Sequence, residues 1–252
     1  MKKHIADVFV LVLALYGMAG TFAQNESDFI YTTTDGKVTI TGYMGKGGTV
    51  IIPATIEKQP VVWIGAGAMF SPFADRTDIT VINIPAKVSG IDGNAFWYCT
   101  GLAAVQVDAK NTVFSSRGGV LFNKAGNELI HCPQGLKGQY AIPEGVTDIG
   151  RSAFFGCTGL TSVIIPATVI SIGRWAFLGC SGLRSVNIPA GVTSIGYDAF
   201  SDCTSLTSVS IGDNAAVNNY AFGSNFSGYY NANGKKAGVY TLRNGAWSYA
   251  AQ

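Results

Sequence analysis

Residues 146–214 are one 23-residue unit written three times without a break: VTDIGRSAFFGCTGLTSVIIPAT, VISIGRWAFLGCSGLRSVNIPAG and VTSIGYDAFSDCTSLTSVSIGDN. Ten positions hold the same residue in all three copies. They are Val146, Ile149, Gly150, Ala153, Phe154, Cys157, Leu160, Ser162, Val163 and Ile165, with their counterparts 23 and 46 residues on. A period in the twenties with apolar residues in phase marks a solenoid. A unit this short cannot bury its own apolar side, so it stacks on its neighbours and shares one core with them.

Each unit holds two backbone regimes. Leu160-x-x-Val163-x-Ile165 ends with the period of two that belongs to a strand, and Pro166, which has no N–H to donate, stops it. Ala153-Phe154-x-x-Cys157 has spacings of three and four, which predict a single helical or 3₁₀ turn. Val146-x-x-Ile149-Gly150 predicts a second short extended arc, with Gly150 at a tight corner. Stacking aligns the strands in parallel, roughly 4.8 Å apart. The column Phe154, Phe177, Phe200 then becomes an interior ladder of rings, and no cofactor is needed to explain it.

L-x-x-V-x-I-P followed by V-T-x-I-G-x-x-A-F-x-x-C resembles the BspA-like leucine-rich repeat of bacterial surface proteins. Leu160, Val163, Ile165-Pro166, Val169, Ile172-Gly173, Ala176-Phe177 and Cys180 all fall in place. The asparagine that follows the strand in the commoner leucine-rich pattern is missing. The likeness covers nearly all of the chain after residue 23. It implies a leucine-rich-repeat solenoid and attachment to host matrix or plasma proteins, or to other bacteria. The expected fold is mainly β with short helical turns: about six to seven turns with parallel strands and a hairpin cap at each end.

The remaining segments fit that frame. Residues 1–23 read as a secretory signal: Lys2-Lys3 give a positive start, residues 8–18 a short apolar run, and Thr21-Phe22-Ala23 a cleavage site before Gln24. Asp7 weakens the pattern, but the apolar run falls short of the roughly 18–20 residues that span a bilayer. Residues 24–252 form one domain. Within 24–49, Asp35-Gly36 between alternating runs predicts a hairpin cap, which the open end of a parallel stack needs. Residues 50–110 carry degenerate repeats, among them VVWIGAGAMF at 61–70 and VSGIDGNAFWYC at 88–99. Residues 111–145 break the period with a hairpin-bearing variant repeat. Residues 215–252 hold a decayed terminal repeat and a C-terminal cap, with a hairpin turn at Asn244-Gly245. Tyr229, Tyr230, Tyr240, Trp247 and Tyr249 make this end aromatic, either as a plug for the last turn or as an exposed contact surface.

Composition excludes some function classes. Charged residues make up 13% of the chain and the formal charge is +2. Without residues 1–23, 15 basic face 14 acidic residues, a balance that gives no electrostatic case for nucleic acid or an anionic membrane. Export combined with five cysteines would ordinarily mean disulfides. Here Cys99, Cys157, Cys180 and Cys203 occupy one column, their side chains point the same way, and they pack as free thiols. Strand spacing alone leaves bridging open. Cys132, inside the insertion, is expected to be the more accessible one.

Catalytic chemistry is not in evidence. Beyond the leader, His131 is the one histidine, and a strand would send it and Cys132 to opposite faces. Carboxylates such as Asp148, Asp198 and Asp202 are scattered. Gly45-Lys46-Gly47-Gly48 lacks the phosphate-loop frame and Gly65-x-Gly67 the third glycine of a dinucleotide motif. No metal, cofactor or small-molecule substrate is expected, and no enzyme. The outward strand positions form two columns instead: Ala104, Ser162, Ser185, Ser208, and Gln106, Ile164, Asn187, Ser210. They are small and nearly uncharged, and they are the candidate face for a protein partner; equally, they serve to keep the sheet soluble. The expected setting is outside the cytoplasm, as an extracellular, cell-surface or periplasmic protein, either adhesin-like or a passive spacer of the envelope. No lipid-accepting cysteine and no second apolar segment is found to hold it there.

Overall fold

The computed structural model describes residues 24–65, 67, 71–213, 215–218, 220–222, 226–243 and 246–251. The expected leader and the Asn244-Gly245 turn lie outside the described residues. In chain order the strands are β1 (Phe29–Thr34), β2 (Lys37–Tyr43), β3 (Gly48–Ile51), β4 (Thr55–Ile56), β5 (Gln59–Ile64), β6 (Ile79–Ile84), β7 (Gly90–Ile91), β8 (Ala104–Val107), β9 (Phe114–Arg117), β10 (Val120–Asn123), β11 (Glu128–His131), β12 (Gly138–Ala141), β13 (Asp148–Ile149), β14 (Leu160–Ile164), β15 (Ser171–Ile172), β16 (Ser185–Ile188), β17 (Ser194–Ile195), β18 (Ser208–Ile211) and β19 (Ala216–Val217). A helix, α1 (Phe226–Ala232), and a final pair, β20 (Gly238–Arg243) and β21 (Ala246–Ala250), close the chain.

Two strand ladders run along the solenoid. The V-x-x-I arcs form one: β2, β5 and β7 in parallel, then β11, β13, β15, β17 and β19. Counted on these arcs, the described solenoid has about eight turns, more than the six or seven expected, because the N-terminal hairpin supplies a turn of its own. Its second strand pairs in parallel with β5 while β1 covers the outer edge. Asp35 and Gly36 have φ of 49° and 69°, the type I′ geometry that matches strand twist. The L-x-x-V-x-I strands form the other ladder, in the panels β3-β6-β8, β12-β14 and β16-β18-β20-β21.

Between arc and strand, the A-F-x-x-C segment makes i→i+3 backbone bonds, as a 3₁₀ turn would: Ala153 N to Gly150 O, Phe155 N to Ser152 O, Cys157 N to Phe154 O. It does not become a continuous helix. Ser152, Trp175, Asp198 and Tyr220 have φ of 52–63°, and Gly156, Gly179 and Asp202 are also left-handed. A left-handed residue on either side of the buried phenylalanine breaks each turn into short bends. The invariant glycine has a different job from the corner expected of it. A Cβ on Gly173 would sit 2.8 Å from Arg151 N, and one on Gly196 2.5 Å from Arg174 N. Glycine is required there because the preceding turn passes so close.

Inside, Phe154, Phe177, Phe200 and Phe222 stack at 4.6, 4.8 and 4.7 Å with planes within 10° of parallel. The N-terminal turns continue the column less regularly through Phe29, Tyr43, Phe73 and Phe96. His131 is its next rung, 5.1 Å from Phe96 and buried, with Nε2 unpartnered among the described residues. Strand β11 ends at His131, so the adjacent Cys132 turns inward too, and both residues are buried rather than on opposite faces.

The variant repeat is a three-stranded meander, β9-β10-β11, whose last strand rejoins the arc ladder on β13. Val120, Leu121 and Phe122 of β10 are all fully buried, the two-sided burial of a continuous apolar run. Leu121 belongs to the N-terminal core cluster, Val120 and Phe122 to the C-terminal one. Fully buried Asn111 fixes the entry to the meander. Its Nδ2 donates to Pro85 O and Val88 O, and its Oδ1 accepts from Val113 N and Phe114 N, at 2.8–3.1 Å.

All five cysteines are buried free thiols, Cys132 included, so the expected accessibility of Cys132 is wrong. The thiols of Cys99, Cys180 and Cys203 donate to Phe73 O, Phe154 O and Phe177 O of the preceding turn at 2.8–3.1 Å. Cys157 reaches Cys132 O at 3.5 Å. Burial pushes Cys99 up to about 12. At the C-terminal end the aromatic residues are a plug. Phe226 and Tyr230 of α1 and Tyr240 are buried, with Tyr229, Trp247 and Tyr249 packed against them. Tyr230 OH donates to Gly212 O (2.7 Å) and accepts from Ala215 N (3.2 Å), covering backbone that no further turn would pair.

Three outcomes follow from this packing. Phe177→Ala, at the centre of the ladder, costs roughly 3–5 kcal/mol, while Ser185→Ala, exposed on β16, stays within about 0.5 kcal/mol; chemical denaturation measures both. Native protein resists a thiol reagent at neutral pH, and all five thiols react once it is unfolded. Burial lowers the His131 pKa to about 4 from an ordinary 6.5. The unfolded chain therefore takes up this proton first, and stability is lost as pH falls from 6.5 towards 4. Between pH 7 and 5 the loss is about 2 kcal/mol, and His131→Phe removes that component.

Candidate protein-binding face

Directly opposed residues of neighbouring strands share a face, so the strand registers define which side chains stand together. In the C-terminal panels Gln139 stands beside Ser162, and Ala141 beside Ile164. Ser185 stands beside Ser208, and Asn187 beside Ser210. The ladder then continues onto the antiparallel cap: Ser208 faces Thr241 and Ser210 faces Val239, which in turn face Ser248 and Ala250 of β21. Ile164, Ser185 and Asn187 are exposed; Ser162, Ser208 and Ser210 are half-buried.

Ala104 and Gln106 do not join that surface. They extend a separate N-terminal panel, where Thr49, Val81 and Ala104 form one row and Ile51, Asn83 and Gln106 the other. The next neighbour of β8 is the tip of the inserted hairpin, not β12: Val105 N donates to Gly119 O at 2.8 Å. Gly119 has φ of 82°, and a Cβ on it would sit 2.8 Å from Ala104 Cβ. Glycine thus meets two demands at the tip, which sets the N-terminal panel apart from the two C-terminal ones.

Chemically, the columns are hydroxyls, amides and short apolar groups, with exposed Arg184 beside Ser185. No pair of titratable groups lies across them. Among the described residues no three His, Cys, Asp or Glu side chains converge as a metal would require, and no helix is long and apolar enough to cross a membrane. His131 is sealed in the core. Sequence reasoning missed Gln139 and Ala141, although Ile142-Pro143 gave their phase, and it missed the β20–β21 extension, which is antiparallel and outside any 23-residue period.

The turn side presents a second feature that the repeat pattern did not announce. A groove of about 540 Å³ runs over Gly156 and Gly179, between Tyr98 and Asp202 and beside Phe155 and Trp175. Trp97 stacks on Phe155 at 4.3 Å across the variant repeat, and the Arg174 guanidinium lies 4.0 Å from the Trp175 ring centroid.

The chain is similar to a leucine-rich repeat protein from Eubacterium ventriosum ATCC 27560: 24% identity, TM-score 0.58, over 68% of this chain and 43% of that one. It is also similar to a leucine rich cell surface protein from Faecalibacterium prausnitzii A2-165: 26% identity, TM-score 0.45, over 75% and 54% of the two chains. The chain thus spans about half the length of these two structures. A search of curated proteins gave no match. The first structure shares the fold, and the profile of the BspA type leucine-rich repeat region matches in six copies across residues 70–137 and 137–244. Stacked 23-residue turns, two strand ladders and this match together make the chain a member of the BspA type leucine-rich repeat family.

Proposed function

We propose that this chain is an exported bacterial binding module, adhesin-like in use, that holds a protein partner against its strand face. The observation that carries the reading is the outward surface of Ser162 and Ile164 on β14 and, on the neighbouring panel, of Ser185, Asn187, Ser208 and Ser210 in register on β16 and β18, extended by Thr241 and Ser248. Small residues let a partner's backbone come close, and the hydroxyls and amides both donate and accept. A face so poor in charge selects by shape and hydrogen bonding rather than by electrostatic steering. The BspA-like resemblance and the signal-like leader support a partner outside the cytoplasm: a host matrix or plasma protein, or a surface protein of another bacterium. Ala104 and Gln106, on the separate N-terminal panel, contribute a second contact area.

One observation favours a different use. The columns contain no Trp, Tyr or Arg, the residues on which interface energies concentrate. A passive spacer of the cell surface or periplasm needs no such anchors.

Binding of the purified chain to immobilised matrix and plasma proteins separates the two. The adhesin reading expects saturable binding to at least one of them. Arginine placed together at Ser162, Ser185 and Ser208 weakens it at least tenfold, with circular dichroism and thermal unfolding unchanged. Binding that survives the triple variant removes the strand face from the mechanism, and absence of binding across the panel supports the spacer.

A further inference from the structure

The N-terminal turns depart from the repeat at three neighbouring places, and the departures fit together. The second residue after the arc valine is Asp148, Ser171 and Ser194 in the regular units, but Trp63 on β5. The same position in the next turn is Gly90. Where the regular units carry their invariant glycine, that turn carries Asp92. Trp63 faces outward, 42% exposed, and its ring lies over Gly90: a Cβ there would come within 1.9 Å of the indole. Trp63 Nε1 donates to Asp92 Oδ1 at 2.9 Å, and Asp92 Oδ2 accepts from Gly67 N at 3.0 Å. Gly65 leaves the space for that carboxylate, since a Cβ on it would overlap Asp92. The tryptophan is therefore laid flat against the sheet and locked in orientation.

Beside it stands a row of hydroxyls. Register places Thr32 opposite Thr39, Thr39 opposite Trp63, and Trp63 opposite Gly90, one rung running across β1, β2, β5 and β7. Thr41 adds a third hydroxyl, and the group lines an open depression of about 490 Å³. None of the three threonine hydroxyls has a hydrogen-bond partner among the described residues. At strand spacing, the rung from Thr32 to Trp63 runs roughly 10 Å.

We infer that this depression binds a neutral oligosaccharide, with one sugar ring against the Trp63 indole and its neighbour over the threonine row. A pyranose presents an apolar C–H face and a rim of hydroxyls, and the site offers an aromatic plane with hydroxyls that both donate and accept. Other ligand classes fit less well. Among the described residues no Lys or Arg lines the depression to hold a phosphate or a uronic acid. Its one carboxylate, Asp92, is occupied by Trp63 and Gly67 and is not offered to a cation. The site is too shallow to enclose a lipid tail. It lies on the arc ladder, away from the strand face, and does not depend on the protein-binding reading.

The test is calorimetric titration of the purified chain with soluble β- and α-linked gluco-, manno-, xylo- and galacto-oligosaccharides, with the tryptophan side-chain N–H resonances followed by NMR. One series is expected to bind saturably and to move the Trp63 resonance. Trp63→Ala then abolishes binding, Thr39→Val weakens it at least fivefold, and Lys110→Ala, at an exposed position outside the depression, leaves it unchanged. Thr39→Val keeps side-chain shape, so it decides the matter should Trp63→Ala lose its fold. Saturable binding by none of the series overturns the assignment, as does full affinity in a folded Trp63→Ala, or a stronger response to a sulfated or uronic-acid oligosaccharide.

Discussion

The distance between hydrogen-bonded strands, about 4.8 Å, governs every column of this molecule. Each turn is nearly a translation of the one before, so equivalent side chains must stack at that spacing in the same orientation. Aromatic pairs left to themselves prefer offset or edge-on contacts. Of these, Phe154, Phe177, Phe200 and Phe222 all take the near-parallel form, at 4.6–4.8 Å, because the backbone sets their distance and orientation. The same translation explains the free thiols. Cα atoms on adjacent turns come within disulfide range, but a disulfide needs Cβ vectors that converge. Translation keeps them parallel, and each thiol finds a carbonyl of the preceding turn instead.

A stack built this way tolerates a break only if the break is itself two-sided. Residues 111–145 meet that condition with β10, whose alternate side chains enter the two core clusters and join them. The ring column loses a phenylalanine there and takes His131. An imidazole is close enough in shape to serve as a rung, but it carries polar nitrogens into an apolar site. Its burial without a partner for Nε2 is the energetic cost, and it makes this repeat the acid-sensitive point of the column. Asn111, with both ends of its amide satisfied, shows the opposite solution to the same problem.

Period, strands, caps and inner columns were legible in the sequence because in-phase identity reports the inside of a solenoid directly. Phe154, Ile149 and Val163 are buried as the three-copy unit requires. Legibility failed where phase was lost, and where the backbone turned left-handed inside an intact unit. The insertion hides the register of Cys132, whose carbonyl accepts from the Cys157 thiol. The A-F-x-x-C spacing suited a helical turn, but spacing carries no information about φ, and Ser152 and Trp175 adopt left-handed values that no residue preference would have named. Helix α1 has Gly228 in its first turn and too short an apolar pattern to announce itself. The sequence presents the candidate face as two unbroken columns, since nothing in Ala104 or Gln106 reveals that the Gly118-Gly119 tip comes between them and β12.

These failures share a cause that bears on function. A repeat holds constant what the core needs and leaves the outward positions free, so the invariant residues are the ones least informative about ligands. Ser162, Ser185 and Ser208 are an exception to variability among outward residues, and the sameness that makes them a regular surface also makes them indifferent to any one partner. Trp63, Gly90 and Asp92 are the reverse case. Each breaks the pattern of its own turn, and each break has a use only beside the others. Without Gly90 the indole has no room to lie down, and with Gly90 but without Asp92 it has room and no fixed orientation. A single deviation in a decaying repeat is explained by drift. Three that meet in one hydrogen-bonded arrangement, on the surface and outside the core, call for a ligand as their common reason.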